Sequence, residues 1–174
     1  MNTNQQRIKL RALTESDMAL TCRWHNSDEI KLNYAGHPFP VNIEMEKKWY
    51  EKILHSNFPV TIFGIEVIET TELAGLVMLK DINMINGSTE LSVYIGDEQN
   101  RNKGYAYEAT REAVGFAFNK MRLHRVWLRV LAENAAAIKL YEKAGFIKEG
   151  VLKESVYKEG TYRDEIIYAI VNGK

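Results

Sequence analysis

The pattern of apolar and polar residues predicts strands and helices in a mixed order. Residues 8–13 alternate between apolar and mostly charged side chains, which predicts a first strand. Thr14 and Asp17 have the spacing of a capping box, with Asp in the usual Glu position, and predict a helix that ends near Asn26. A second helix is predicted after Asn42, and three apolar residues form one stripe along it: Met45, Trp49 and Ile53.

The pattern then changes from helical to extended. Residues 31–40 lie between the two helices, hold two of the three prolines and predict a loop. Three later segments are rich in β-branched and apolar residues, as strands are: residues 60–69, 72–84 and 88–97. Asn86-Gly87 separates the last two segments and predicts a tight hairpin turn.

The second half of the chain alternates helix and strand before a closing hairpin. Its predicted elements are a helix from Gly104 to about Lys120, a strand over residues 125–130, a helix capped by Asn134 and ended by Gly145, and two strands that turn near Glu159-Gly160. The whole order, β-α-α-β-β-β-α-β-α-β-β, predicts an α/β (α+β) fold. We expect residues 1–174 to form one domain, since no linker or low-complexity tract interrupts the chain.

The amino-acid composition limits which binding partners and which cellular compartment are expected. Lys plus Arg and Asp plus Glu both number 23, so the net charge is zero and a broad nucleic-acid-binding face is not expected. The one cysteine, Cys22, cannot form a disulfide within the chain, which fits a reducing compartment. No stretch of 18 apolar residues and no signal-peptide pattern occurs. We therefore expect a soluble, cytoplasmic protein with no membrane partner.

The turn before the long central helix carries the first chemical signal. It consists of Arg101, Asn102, Lys103, Gly104, Tyr105 and Ala106. Gly104 has no Cβ and leaves backbone N–H groups uncovered at a helix start, which carries about half a positive charge. Arg101 and Lys103 add two full charges. The turn therefore predicts a site for an anion.

The element order, this turn and two later segments together resemble the GNAT superfamily of acetyl-CoA-dependent N-acetyltransferases. The later segments are residues 134–146, with the sequence NAAAIKLYEKAGF, and residues 157–164 in the closing hairpin. Within the superfamily they resemble the branch that contains ribosomal-protein N-terminal acetyltransferases and spermidine acetyltransferases. The resemblance implies a mixed, splayed central sheet of about seven strands flanked by about four helices.

The resemblance also implies how acetyl-CoA binds. The glycine turn would hold the pyrophosphate, and the pantetheine arm would pair like an extra strand with Val93, Tyr94 and Ile95. Asn134 and Tyr141 lie seven residues apart, about two helical turns, and so face the same way. Asn134 would contact the pantetheine. Tyr141 would be the general acid that protonates the leaving thiolate, although a tyrosine at such a position also suits a helix core.

The attacking amine must lose a proton, and Glu90 is the candidate base by resemblance. A solvated glutamate at a strand edge is the equally weighted alternative. His25 and His37 rank below Glu90 as candidate bases. The four histidines have no metal-ligand spacing, so no metal is expected. No Ser/His/Asp or Cys/His arrangement is apparent, which favours direct transfer over an acyl-enzyme.

The acceptor pocket of this family varies within the segment that corresponds to residues 24–49. Its aromatic and acidic residues suit a cationic amine, and they equally suit a solvated helical face. The candidate contacts are Trp24, Asn26, Glu29, Tyr34 and Glu44, and neighbouring polar or aromatic residues are Asp28, His37, Phe39 and Glu46. Acidic and basic residues are nearly balanced here. We therefore predict that spermidine, with about three positive charges, is a poorer acceptor than a singly charged amine.

The sequence thus predicts an enzyme that transfers an acetyl group to a primary amine in a ternary complex. The amine would belong to a small molecule or a peptide N-terminus. Polyamine acetylation and amino-sugar acetylation are alternatives within this class. A non-catalytic acyl-CoA sensor is the alternative from another class, and an intact Tyr141 argues against it. A homo-oligomer, such as a dimer, is compatible with these predictions.

Overall fold

The computed structural model describes residues 6–33, 39–55 and 60–173, and a seven-stranded sheet lies at its centre. The strands are β1 (Ile8–Arg11), β2 (Thr61–Val67), β3 (Leu73–Asn83), β4 (Ser88–Ile95), β5 (Arg125–Leu131), β6 (Ile147–Lys158) and β7 (Thr161–Val171). The α-helices are α1 (Met18–His25), α2 (Asp28–Asn33), α3 (Ile43–Leu54), α4 (Tyr105–Asn119) and α5 (Ala135–Lys143). Across the sheet the order is β1-β2-β3-β4-β5-β7-β6, and β4 and β5 pair in parallel.

The predicted mixed α/β fold is confirmed, with one helix more than expected. The described residues contain five α-helices, because α2 occupies positions 28–33 and includes residues 31–33 that were expected in a loop. This helix has six residues and a single buried side chain, Ile30, so it has no apolar period for sequence analysis to detect. Tyr34 and His37, named as candidate acceptor-side residues, lie outside the described residues.

Helix α3 begins at its predicted N-cap, but the residues that face the protein interior are not all the predicted ones. The side chain of Asn42 accepts a hydrogen bond from the backbone N–H of Met45, at 2.9 Å. Met45 itself is 46% exposed, so its predicted place on the inward stripe is wrong. The inward residues are instead Glu46, Trp49, Tyr50 and Ile53, at i, i+3, i+4 and i+7. The hydrophobic pattern did not reveal these inward positions, because the most buried of them holds a glutamate.

Strand β4 separates two apolar cores, because alternate side chains leave a strand on opposite faces. Leu91, Val93 and Ile95 pack in the core under α4 and α5. Tyr94 packs in the second core, against Trp24 of α1. The face that carries Tyr94 is called the acceptor face below. By the same alternation, the side chains of Ser92 and Glu90 also lie on it.

Charged groups join the first strand to the turn that opens α1. The predicted capping box is present, since Thr14 and Asp17 each bond the other's backbone N–H. The guanidinium of Arg11 donates to both carboxylate oxygens of Asp17, at 2.8 and 2.9 Å, and also pairs with Glu66 of β2. Burial raises the pKa of Asp17, but hydrogen bonds from Arg11 and Thr14 outweigh it, and the pKa lies below its ordinary value of 3.8.

Replacing Asp17 with Asn should lower the free energy of unfolding at neutral pH by about 1–3 kcal/mol, because the charged bonds from Arg11 are lost. Since the folded-state pKa lies below the unfolded value, the stabilisation is complete above the unfolded pKa of about 4 and is lost as pH falls through the folded value. Urea titrations over this range measure the difference, with Asp28→Asn at an exposed site as the control. A gap that stays constant down to strongly acidic pH would contradict the assignment.

Candidate active site

The central sheet opens between its two parallel strands. The pairing of β4 with β5 covers three residue pairs and ends at Glu90 opposite Trp127. Strand β5 continues to pair with β7 as far as Leu131 opposite Glu165, so it turns away from β4. The space between the diverging strands is a cavity of about 720 Å³, which we call the cleft.

The cleft gathers most of the residues predicted from the sequence. The predicted site residues that line it are Glu29, Glu90, Val93, Tyr94, Ile95, Arg101, Asn102, Gly104, Tyr105, Ala106, Asn134 and Tyr141. Lys103, Trp24, Asn26 and Glu44 are described but do not line it. Apart from Glu29 of α2, these residues come from β4, from the turn and first residues of α4, and from α5 with its cap, which are the elements predicted to surround acetyl-CoA.

The turn before α4 has the backbone that its glycine predicts. Gly104 has a φ of +85° and forms the N-cap of α4, and Asn102 also has a positive φ, of 58°. A Cβ added to Gly104 would lie 3.0 Å from Nη2 of Arg7. The guanidinium of Arg7 lies 5.5 Å from the centre of the Tyr105 ring and pairs with Glu108. Arg7 is thus a cation at this helix start that sequence analysis missed, because it precedes β1 and lies far away in sequence.

Arg101 is held by its neighbours on the protein. Its Nη2 donates to the carbonyl oxygen of Gly96 at 2.7 Å, and Nη1 forms an ion pair with Glu29 of α2. The charge that the sequence assigned to the anion site is therefore shared with a carboxylate. Glu29 lines the cleft as predicted, and in this structure it links α2 to the glycine turn.

Helix α5 presents Tyr141 to the cleft from a fixed position. Asn134 caps the helix, accepting a hydrogen bond from the backbone N–H of Ala137 at 3.1 Å. Two turns later Tyr141 is 6% exposed, and its ring meets that of Phe146 edge-on, with centroids 5.8 Å apart. Gly145 has a φ of +94° and lets the chain reverse into β6 so that Phe146 reaches this ring. The packing fixes the direction of the phenol.

Glu90 is a buried carboxylate between two cations. It is 5% exposed, with Arg129 Nε at 3.4 Å from one oxygen and Lys80 Nζ at 3.7 Å from the other. The solvated strand-edge alternative is wrong, because the residue lies inside the cleft on the acceptor face. Its role as a base stays a prediction.

Glu165 of β7 is a second buried carboxylate in the cleft, and sequence analysis did not select it. It is 3% exposed and accepts a hydrogen bond from the Ser155 hydroxyl at 2.9 Å. It lies directly opposite Leu131 in the sheet. The sequence shows Glu165 as an acidic residue immediately before the apolar residues of β7. The alternation of side chains along the strand does not say whether this glutamate points inward or outward.

Two of the predicted acceptor residues have structural contacts outside the cleft lining, and a third is exposed. Trp24 is 2% exposed, and its indole N–H donates to Asp97 at 3.1 Å. Asn26 bonds both the N–H and the carbonyl oxygen of Val41, at 2.9 and 2.7 Å, and so fixes the chain before α3. Glu44 is exposed on α3. Residue type suggested contacts with the amine, but the side chain of Trp24 is packed in the core and that of Asn26 bonds the backbone.

Residues 6–33, 39–55 and 60–173 hold neither a metal-binding cluster nor a membrane-spanning helix. Within them, no group of three or more His, Cys, Asp or Glu side chains is placed to hold a metal ion. No helix in this part of the chain is long and apolar enough to cross a membrane.

Comparisons with known proteins identify the family. The model of the acetyltransferase (GNAT) domain matches residues 7–147. The spermidine N(1)-acetyltransferase of Vibrio cholerae is 32% identical over 144 residues, which cover 82% of this chain and 80% of that protein. A crystal structure of the Vibrio cholerae enzyme with CoA and spermine superposes with a TM-score of 0.89 at 30% identity, over 96% of both chains. A dodecameric structure of it in an intermediate state superposes with a TM-score of 0.79 at 29% identity, over 96% of this chain and 95% of that one.

The chain therefore belongs to the GNAT acetyltransferase family. It is an acetyl-CoA-dependent N-acetyltransferase, and its acceptor is a primary amine. The resemblance drawn from the glycine turn and the residues around Tyr141 is confirmed, and so is acetyl-CoA as the co-substrate.

Replacing Gly104 with Val should remove most of the stabilisation that acetyl-CoA gives. At a hundred times its Kd, the ligand should stabilise the wild-type fold by about 2.7 kcal/mol. A valine would crowd Arg7 and would have to adopt a positive φ. Melting curves with and without acetyl-CoA measure the gain for each variant against its own ligand-free form.

Gly115→Ala is the matched control for this experiment, because it lies within α4, where the added Cβ meets Asn119 at an ordinary 3.9 Å. It should keep the full ligand-induced shift. A wild-type shift in Gly104→Val would show that the glycine turn does not hold acetyl-CoA.

Tyr141→Phe should lower kcat by about a hundredfold or more and leave acetyl-CoA binding nearly unchanged, because the ring packing stays and the proton is lost. Tyr168→Phe is the control, since Tyr168 is also buried but bonds Glu142 and does not line the cleft. Steady-state kinetics and calorimetric titration separate the two quantities. Parallel losses of binding and of rate would make Tyr141 a packing residue.

Proposed function

We propose that this enzyme acetylates a primary amine that carries one positive charge, such as an amino sugar or a peptide N-terminus. The observation that carries the proposal is the charge of the cleft. Its described lining holds three carboxylates and five cations: Glu29, Glu90 and Glu165 against Lys80, Arg101, Arg129, Lys139 and Lys143. Arg101 belongs to the turn assigned to the pyrophosphate and is paired with Glu29, but without that pair the lining still holds four cations against two carboxylates, which is a poor place to desolvate a polycation.

The pairing of the carboxylates supports the same acceptor class. Glu29 is paired with Arg101, and Glu90 lies between Arg129 and Lys80. Among the described residues, Glu165 is the cleft carboxylate that forms no ion pair within 4 Å, but its charge interacts with the nearby ammonium of Lys158, and it accepts a hydrogen bond from Ser155. Since one cation is already near it, Glu165 would serve one substrate ammonium group and not a polycation.

Polyamine acetylation is the alternative, and it rests on the relatives. The Vibrio cholerae protein that is 32% identical to this chain over 144 residues is a spermidine N(1)-acetyltransferase. Amino-sugar acetylation falls within the proposed class. The non-catalytic sensor is disfavoured because Tyr141 is intact and lines the cleft.

The proposed reaction is direct attack in a ternary complex. Acetyl-CoA supplies the thioester, and the backbone of Val93 to Ile95, the turn at Gly104 and the Asn134 cap would hold it. Tyr141 would protonate the leaving thiolate, and the amine must also lose a proton, a role that the sequence predicted for Glu90. Cys22, the sole thiol of the chain, does not line the cleft, which fits transfer without an acyl-enzyme.

We also propose that the chain self-associates. Strand β6 is an edge strand whose apolar side chains are exposed, with Ile147 at 72%, Tyr157 at 60% and Val151 at 40%. The Vibrio cholerae relative forms a dodecamer. The number of subunits, including the dimer considered from sequence, and the cytoplasmic location stay predictions.

A panel of amines tests the proposed acceptor. We expect kcat/KM for at least one monoamine, among amino sugars and peptide N-termini, to exceed that for spermidine when released CoA is measured. Glu165→Gln should raise the acceptor KM by about tenfold or more, since it removes the charge that faces the ammonium. Glu159→Gln, at an exposed turn of the same hairpin, is the control. A higher kcat/KM for spermidine than for every monoamine would replace this proposal with the polyamine alternative.

A further inference from the structure

A buried polar chain leads from the cleft to the helices that cover the acceptor face. Tyr94 lines the cleft and is 8% exposed, and its hydroxyl oxygen lies 3.4 Å from Nε2 of His25. The other ring nitrogen of His25, Nδ1, lies 2.8 Å from Oε2 of Glu46. The three side chains come from β4, α1 and α3 and connect the cleft to a carboxylate in the protein interior.

The burial of Glu46 requires an explanation. It is 1% exposed, and its second oxygen, Oε1, has no hydrogen-bond partner among the described residues. The adjoining inward position on α3 holds Trp49, whose ring meets that of His25 edge-on with centroids 5.5 Å apart. An apolar residue would fill this position at lower cost, because a buried carboxylate is expensive. A carboxylate 2.8 Å from Nδ1 of His25 does, however, favour the tautomer with the proton on Nδ1, which leaves Nε2 as an acceptor.

We propose that Tyr94, His25 and Glu46 form a relay that takes the proton from the acceptor amine. The proposal rests on the proposed acetyl transfer and names the groups that deprotonate the acceptor. Tyr94 lines the cleft and would be the catalytic residue that contacts the amine, and the other two act through it. The backbone of Tyr94 can still pair with the pantetheine arm, because the relay uses its side chain.

The proton balance of the relay is closed. An N–H bond of the ammonium breaks, and the proton forms an O–H bond at Tyr94. The original O–H bond of Tyr94 breaks as its proton forms an N–H bond at Nε2 of His25. The positive charge moves from the amine to the imidazole, where Glu46 stabilises it. The contact of 3.4 Å between Tyr94 and His25 is at the long end for a hydrogen bond, as catalytic contacts often are before the substrate binds.

The relay differs from Glu90 in what surrounds it. Glu90 lies on the same face of β4, four positions before Tyr94, but its carboxylate is held between two cations. The titratable groups that face His25 are Glu46 from α3 and Tyr94 from β4. On α1, Cys22 lies near Glu46. The pKa of its thiol is raised, chiefly by burial and to a smaller extent by the charge of that carboxylate. The neighbouring cation on α1, Arg23, is paired with Asp97.

The first test needs no acceptor. Nitrogen-15 NMR of the histidine rings, at a pH where the imidazole signal is that of the neutral ring, should find the proton of His25 on Nδ1 and none on Nε2. Glu46→Gln should reduce this preference for one tautomer. A ring that carries its proton on Nε2 in the wild-type protein would overturn the relay, because Tyr94 would have no acceptor.

The second test is kinetic and uses the amine that the wild-type enzyme acetylates fastest, with spermidine included. Tyr94→Phe and His25→Asn should lower kcat at about pH 7 by about tenfold to a hundredfold and leave the KM for acetyl-CoA unchanged. The asparagine keeps a donor toward Glu46 and loses the nitrogen that faces Tyr94. The loss should shrink as the pH rises above the pKa of the amine, because the neutral amine no longer needs the relay.

Controls separate the relay from packing and from the acceptor class. His124→Asn and Glu51→Gln, at exposed sites, should leave kcat unchanged. A loss that is equal at every pH would make the three side chains a packing unit, and no loss at pH 7 would exclude the relay. If spermidine is the fastest amine, the proposed acceptor class fails while the relay is still tested. If no amine is acetylated, the NMR result decides.

Discussion

The structure depends on a parallel strand pair that is left short. Strands β4 and β5 share three residue pairs and then diverge, while each continues to pair with its other neighbour, β3 or β7. The sheet stays continuous because antiparallel pairs hold it on both sides of the opening. Backbone groups of β4 beyond Glu90 are thereby left facing a cleft, which is the arrangement that an extended ligand can join as a strand. The helix starts at Gly104 and Asn134 flank the same opening.

Side chains on the two faces of β4 have different functions: one face anchors the strand in the core, and the other carries the polar groups of the site. Leu91, Val93 and Ile95 anchor the strand on α4 and α5, so its backbone is fixed from one side. Glu90 and Tyr94 face the other way, toward charged and aromatic groups of the acceptor face. Partners offset part of the cost of burial: two cations for Glu90, and His25 for one oxygen of Glu46. The acceptor face is consequently rich in charge but nearly compensated, and that balance limits which amines it favours.

The sequence predicted the elements that a period or a cap defines. The capping box at Thr14, the Asn42 and Asn134 caps and the positive φ of Gly104 and Gly145 all follow from local chemistry, which needs no tertiary information. It failed where tertiary contacts decide. Glu46 occupies an inward position that a hydrophobic pattern cannot assign.

Helix α2 and two charged residues were also missed, for different reasons. The six residues of α2 were hidden because a short helix has no period. Arg7 and Glu165 were missed because their place near the cleft depends on strand pairing between distant segments. Trp24 and Asn26 have the residue types of an amine site, yet their contacts are with Asp97 and Val41.

Amide hydrogen exchange of β4 with and without acetyl-CoA tests most directly whether the open edge of this strand binds the co-substrate. We predict slower exchange in residues 91–95 on saturation and unchanged exchange in the edge strand β6. Unchanged exchange in residues 91–95, at an acetyl-CoA concentration that supports turnover, would contradict it.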